Sequence, residues 1–212
     1  MSSEGGRAWN RREFMGAAAL LAMVVGVPAG AAIWSKVEDG DAPTDRQRAM
    51  MRDVAQIVIP KTGTPGAGEV GTGDFVILAL AHGLDGTRDP GAAAAIPAGV
   101  PAPRRPDGSL RYLDWLEGEL DRRARGNWAG RDAAAKTAAL AALDAEAYGG
   151  DGRAPHPWKA IKGLILTGYY TSEVGGSQEL RYEPVPGRFD PALPNPPGTR
   201  AISNDWTAVD FG

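Results

Sequence analysis

Apolar and polar positions follow a helical period in several stretches of the chain, and no strand-like alternation of useful length appears. In APTDRQRAMMRDVAQIVIP, Met50, Val54, Ile57 and Val58 fall on one face. A helix is predicted there, capped by Thr44 or Asp45 and stopped by Pro60. TGDFVILALAH predicts a second, short helix with Phe75, Leu78 and the neighbouring aliphatics mostly buried. SLRYLDWLEGELDRRA carries Leu113, Leu116 and Leu120 as an apolar stripe, with Tyr112 beside it and Ser109 placed to cap. RDAAAKTAALAALDAEAY is rich in alanine, with Leu140 and Leu143 pointing inward. HPWKAIKGLILTGYY sets Pro157 near its first turn and Trp158, Ile161, Leu164 and Ile165 on the buried side. The predicted class is all-α, a small domain of about five helices.

The segments between these helices are unusually irregular. KTGTPGAGEVG is turn-rich. Gly83 to Asp107 has five prolines and little periodicity, so a surface loop or insertion is predicted; it is long for a compact domain, which leaves room for contact with a partner. After Gly175, Pro184, Pro186, Pro191, Pro194, Pro196 and Pro197 rule out a long helix and predict an extended arm. The 29 glycines and 17 prolines fit this picture. The expected organisation is a leader over 1–31, a linker over 32–43, a helical domain over 44–170 with its insertion at 83–107, and a Pro/Gly-rich C-terminal arm over 171–212.

The leader follows from MSSEGGRAWNRREFMGAAALLAMVVGVPAGAAIW. Arg11 and Arg12 precede Phe14, and an uncharged run of 21 residues extends from Phe14 to Trp34. Ala29 and Ala31 form an A-x-A exit. A positive region, an apolar region and a small-residue exit make a secretory leader. The arginine pair followed by Phe14 resembles the twin-arginine type. Cleavage is expected after Ala31. A retained anchor is the alternative, because about 20 apolar residues can span a bilayer; Gly26, Pro28 and Gly30 weaken the second half of the run. The expected location is the periplasm, at the inner membrane through a complex or an uncleaved leader. The formal net charge is −3 with no basic stripe, which excludes nucleic acid as the expected partner. With no cysteine, disulfides, thiolate metal sites and cysteine nucleophiles are excluded.

Candidate chemistry is sparse. Gly66 to Gly71, GAGEVG, matches G-x-G-x-x-G, but the dinucleotide fingerprint needs a strand ending at its first glycine. Here Pro60 and Pro65 intervene and no second strand follows the helix, so a glycine-rich turn is expected. Asp114, Glu117 and Asp121 lie on one helix at spacings of three and four; a solvated face is expected, with Glu119 pairing Arg122 or Arg123. The two histidines, His82 and His156, have no companion ligand in an H-x-x-x-H spacing. No G-x-S-x-G elbow is present. No catalytic, metal-binding or cofactor-binding residue is predicted, and the isolated chain is expected to bind no flavin.

The densest stretch is GYYTSEVGGSQELRY, Gly168 to Tyr182. Tyr169, Tyr170 and Tyr182 supply large contact area with a polar tip, a chemistry enriched at interfaces. Thr171, Ser172, Glu173, Gln178, Glu179 and Arg181 supply polar pairs, and Gly168, Gly175 and Gly176 permit close backbone approach. The alternative is that the tyrosines cover the domain's own core, and both can hold for different rings. Together with the leader, TGYYTSEVGGSQELRYEPVPGRFD resembles the gluconate 2-dehydrogenase subunit 3 family. The segment IVIPKTGTPGAGEVGTGDF, Ile57 to Phe75, is similar to that family's turn into its second helix. The resemblance covers roughly 44–190 and departs at the 83–107 insertion and after Asp190, where Pro191, Ala192 and Leu193 follow. It implies a non-catalytic small subunit of an FAD-dependent sugar, polyol or glycoside dehydrogenase complex. It further implies a catalytic glucose-methanol-choline-type partner that holds the FAD and lacks a leader. This chain would then bind and stabilise the partner and carry it through the twin-arginine translocase, with electrons passing to a cytochrome c subunit or another acceptor. The docking residues would run from Gly168 through Tyr182 to Arg188 and Phe189. A free-standing periplasmic or membrane-anchored binding module is the competing reading.

Overall fold

The computed structural model describes residues 42–91, 96, 101–149, 154–182, 192, 194 and 196–203. The leader, with Arg11, Arg12 and Phe14, lies outside them, as do Arg188 and Phe189. The described residues form an α-helical domain of five α-helices: α1 (Asp45–Val58), α2 (Thr72–His82), α3 (Tyr112–Arg123), α4 (Ala133–Ala147) and α5 (Pro157–Tyr170).

Helix α1 begins at a capping box. The Thr44 hydroxyl accepts from the Gln47 amide at 3.1 Å, and the Gln47 side chain returns a bond to the Thr44 amide at 3.1 Å. Met50, Met51, Val54 and Ala55 form its buried face. Helix α2 is buried all round: of its eleven residues only Asp74 and His82 fall outside the buried set. A helix apolar on every face belongs at the centre of a core, and α1 and α5 pack against it. Trp115, Leu116 and Leu120 of α3, Leu140 and Leu143 of α4, and Trp158, Ile161, Leu164 and Ile165 of α5 complete the same core. Helix α5 starts at His156, whose Nδ1 accepts from the Trp158 amide at 3.2 Å, with Pro157 in the first turn.

One expectation needs correction. Ser109 is fully buried but does not cap α3, whose N-cap is Arg111. Instead the Asp107 carboxylate accepts from the Ser109 amide at 2.9 Å and its hydroxyl at 2.6 Å, closing a turn before the helix. The described ends of the 83–107 insertion fold back onto this domain. Arg88 donates through Nε and Nη2 to the Ala81 carbonyl at 3.1 and 2.8 Å, capping α2, and reaches Asp107 at 3.1 Å. Thr87, Arg105 and Leu110 are buried there. Gly83, in the left-handed region at φ +80°, ends α2 in the manner glycine favours.

Part of the C-terminal arm, the stretch up to Tyr182 and residues 192, 194 and 196–203, is described. A π-helical turn covers Gly175–Glu179. Next, β1 (Arg181–Tyr182) pairs in parallel with β2 (Ile202–Ser203), Arg181 beside Ile202 and Tyr182 beside Ser203. The arm therefore returns to its own root.

Candidate functional site

The two most distinctive stretches of the sequence meet at one end of the bundle. Gly168, near the end of α5, lies against the Phe75 ring of α2; a Cβ there would fall 2.5 Å from Phe75 Cδ1. The next residue, Tyr169, is 1% exposed, and its hydroxyl donates to the Pro65 carbonyl at 3.0 Å. The Thr64 hydroxyl stands 3.4 Å from the Tyr169 hydroxyl and donates to the Glu179 carboxylate. The turn between α1 and α2 is thus tied to the end of α5 and to the π-turn beyond it.

That turn is itself held rigidly on α1. The Gly66 amide donates to Glu69 at 2.8 Å, the Gly68 amide to Gln56 Oε1 at 3.0 Å, and the Ala67 amide to the Ile59 carbonyl at 3.0 Å. A Cβ on Gly68 would come within 2.6 Å of the Arg52 carbonyl, so glycine is needed for this approach. These contacts also test the G-x-G-x-x-G reading. The amides of Gly66 and Gly68 that would cradle a pyrophosphate already have protein acceptors, and a helix precedes them. The segment does not fit a dinucleotide.

After Tyr169 the chain turns outward. Tyr170 packs edge-on against Tyr169, with centroids 5.2 Å apart at 79°, yet is 38% exposed. Leu166, one turn earlier on the same face, is 40% exposed. Burial first, then the nearby Glu179 charge, pushes the Tyr170 phenol above its ordinary pKa, so it is a neutral donor at neutral pH. The π-turn follows at once. Ser172 donates to the Tyr169 carbonyl at 2.6 Å and accepts from the Gly175 amide at 3.1 Å. A Cβ on Gly175 would lie 2.0 Å from the Tyr169 carbonyl oxygen, a separation no other residue can occupy.

The family model described as gluconate 2-dehydrogenase subunit 3 matches residues 45–187. That is well over half of the 212 residues. This chain belongs to the gluconate 2-dehydrogenase subunit 3 family. No curated protein and no solved structure matches it.

Within this family member the predicted docking residues divide into two sets. Gly168 and Tyr169 are buried in the subunit's own core. Tyr170, Thr171, Glu173, Gln178 and Arg181 are exposed, and Ser172 and Glu179 are half-buried. Leu166 and Thr64 were not singled out from sequence. The signal for Leu166 was available, because it lies off the buried stripe of α5 and four residues before Tyr170. Thr64 carried no sequence signal, since only the fold brings it to Glu179.

The other candidates have structural partners. Asp114, Glu117 and Asp121 do not form a solvated face; they form a seam with α1. Gln47 Nε2 donates to Asp114 at 2.7 Å and Glu117 at 3.1 Å, and Arg46 pairs with Glu117 at 3.0 Å and Asp121 at 2.6 Å. Glu119 pairs with Arg122 and Arg123, as expected, but is itself buried. His156 is the α5 cap and meets the Trp115 ring edge-on at 5.7 Å. Among the described residues no cluster of three or more His, Cys, Asp or Glu could hold a metal, and no helix is long and apolar enough to cross a membrane.

Proposed function

We infer that this subunit is a non-catalytic partner of an FAD-dependent sugar or polyol dehydrogenase, docking the catalytic glucose-methanol-choline-type chain through the surface around Tyr170. Family membership supports the complex, since the family is named for a subunit of a dehydrogenase. The observation that carries the docking surface is the pair Leu166 and Tyr170. Two large apolar side chains, one helical turn apart and each over a third exposed, sit on a helix end fixed by Gly168, Tyr169 and Gly175. A rigid aromatic anchor with neighbouring polar groups is the composition of an interface hot spot. The FAD belongs to the partner, and electrons leave it for a cytochrome c subunit or another acceptor.

The leader supports a second role. A twin-arginine leader passes folded proteins, so a leaderless flavoprotein loaded in the cytoplasm would travel with this subunit to the periplasm. Purification of the tagged full chain from native membranes tests both roles. The expected result is stoichiometric copurification of an FAD-containing subunit and sugar-dependent dye reduction that follows the complex. Turnover by this chain without flavin, or a monomer that retains no flavoprotein, contradicts the reading and favours a free-standing binding module.

A further inference from the structure

The family match ends at residue 187, but the structure closes on residues beyond it. Pro196, Pro197, Gly198 and Thr199 form a tight turn: the Thr199 amide and hydroxyl donate to the Pro196 carbonyl at 3.1 and 2.8 Å, and Gly198 has φ +85°. Proline followed by a left-handed glycine is what a type II turn demands. That turn delivers Arg200 to the end of the π-turn. Its guanidinium donates to the Ser177 carbonyl at 3.1 Å, to the Glu179 carbonyl at 3.4 Å and to the Leu180 carbonyl. The next carbonyl, Ala201, accepts from the Arg181 amide at 2.8 Å and begins the β1–β2 pairing.

Helical ends leave carbonyls without partners and carry partial negative charge, which a cation at the C-terminus offsets. The π-turn is one turn long and starts beside the buried Tyr169; Thr64 holds it through the Glu179 carboxylate, and its two ends need partners of their own. Gly175 packs the first end. Arg200 satisfies the last, its Nε and Nη2 holding three carbonyls in the fixed geometry of a planar fork that a lysine ammonium does not share.

We propose that Arg200 is a positioning residue for the docking surface: the Pro196–Thr199 turn and the Arg200 guanidinium form a clasp that holds Gly175–Tyr182 in the shape the catalytic partner recognises. This rests on the docking reading above and adds to it a segment that the family match does not reach. The clasp's hydrogen bonds go to backbone carbonyls of the π-turn and the residue after it, so it acts through backbone placement.

The test compares Arg200→Ala, Arg200→Lys and Gly198→Ala in the full chain. Hydrogen exchange over residues 174–182 is measured on the free subunit, and affinity is measured against the catalytic subunit separated from its native complex. Arg200→Ala is expected to speed exchange of the Leu180 and Arg181 amides about tenfold. It should weaken the partner by about tenfold, the scale of one charge-assisted hydrogen bond. Arg200→Lys keeps the charge but not the fork and should recover little of either. Gly198→Ala disturbs the turn without touching the guanidinium and should move both readouts the same way. Unchanged exchange in Arg200→Ala and Gly198→Ala overturns the clasp. Faster exchange with unchanged affinity overturns the positioning role, and Tyr170→Ala then separates the causes. If Tyr170→Ala still weakens the complex, the docking surface stands without the clasp; if it does not, the docking reading has failed.

Discussion

Glycines at equivalent places in helices do different work here, and the difference predicts opposite mutational signs. Gly118 lies inside α3 with no atom within 4 Å of where a Cβ would go. Gly118→Ala should stabilise the fold by about 0.5–1 kcal/mol through helix propensity alone. Gly168→Ala gains the same propensity but drives a methyl against the buried Phe75 ring, and overpacking costs about 1–3 kcal/mol. The clash should win, giving net destabilisation; urea unfolding of both variants checks the pair of signs. The adjacent tyrosines split in the same way. Tyr169→Ala should cost about 3–5 kcal/mol of stability. Tyr170→Ala should leave stability nearly intact and loosen the partner at least tenfold, the effect of about 2–4 kcal/mol seen at hot spots. Subunit stability with partner affinity, measured on both variants, separates them. The sequence could show that this stretch was rich in tyrosine but not which ring faced inward. That choice is made by the reach to Pro65, a hundred residues earlier.

Among the elements, the helices were legible because each has a strong apolar face and at least one sharp boundary. The short α2 was predicted at its observed limits, since Gly71 and Gly83 bracket an almost wholly apolar run. The π-turn at Gly175–Glu179 was not legible, because a π-turn has no sequence period of its own and it depends on the close approach of Gly175 to the Tyr169 carbonyl. The acidic positions of α3 were misread for a related reason: the pattern D-x-x-E-x-x-x-D looks solvated until Arg46 and Gln47 arrive from α1. One boundary has a pH consequence. His156 caps α5 as an acceptor, and burial holds its imidazole below the usual value despite the nearby Glu146 and Glu119; Arg123 and Lys159 also face it and act in the same direction as burial. A depressed histidine pKa means that the unfolded state binds the proton more readily. Stability is therefore present above the unfolded value and lost as pH falls through about 6.5 and below. His156→Asn keeps a capping acceptor but does not titrate, so it should shrink the loss of stability between about pH 7.5 and pH 5.5. An equal loss in wild type and variant would assign the pH dependence to other groups.

At the scale of the whole molecule, the proposed function joins an expected leader, a helical domain of known family, and a proposed docking end where the α1–α2 turn, the end of α5 and the described part of the arm meet. The family and the helical class were readable from motif and periodicity. The convergence of the motifs was not, because contact between Thr64 and Glu179 spans 115 positions of chain. In the function proposed above, the parts act together to transport a partner that has no leader of its own. Arg11 and Arg12 supply planar donors that lysine cannot reproduce. Replacing both by lysine preserves the charge and the apolar run, so general membrane affinity survives while twin-arginine recognition fails. The decisive measurement is cell fractionation of the Arg11→Lys, Arg12→Lys double variant, following this subunit, the flavoprotein and dye-reducing activity together. The account predicts that all three remain in the cytoplasm, with the flavoprotein folded, loaded with FAD and active there. A flavoprotein that still reaches the periplasm while this subunit does not would contradict it.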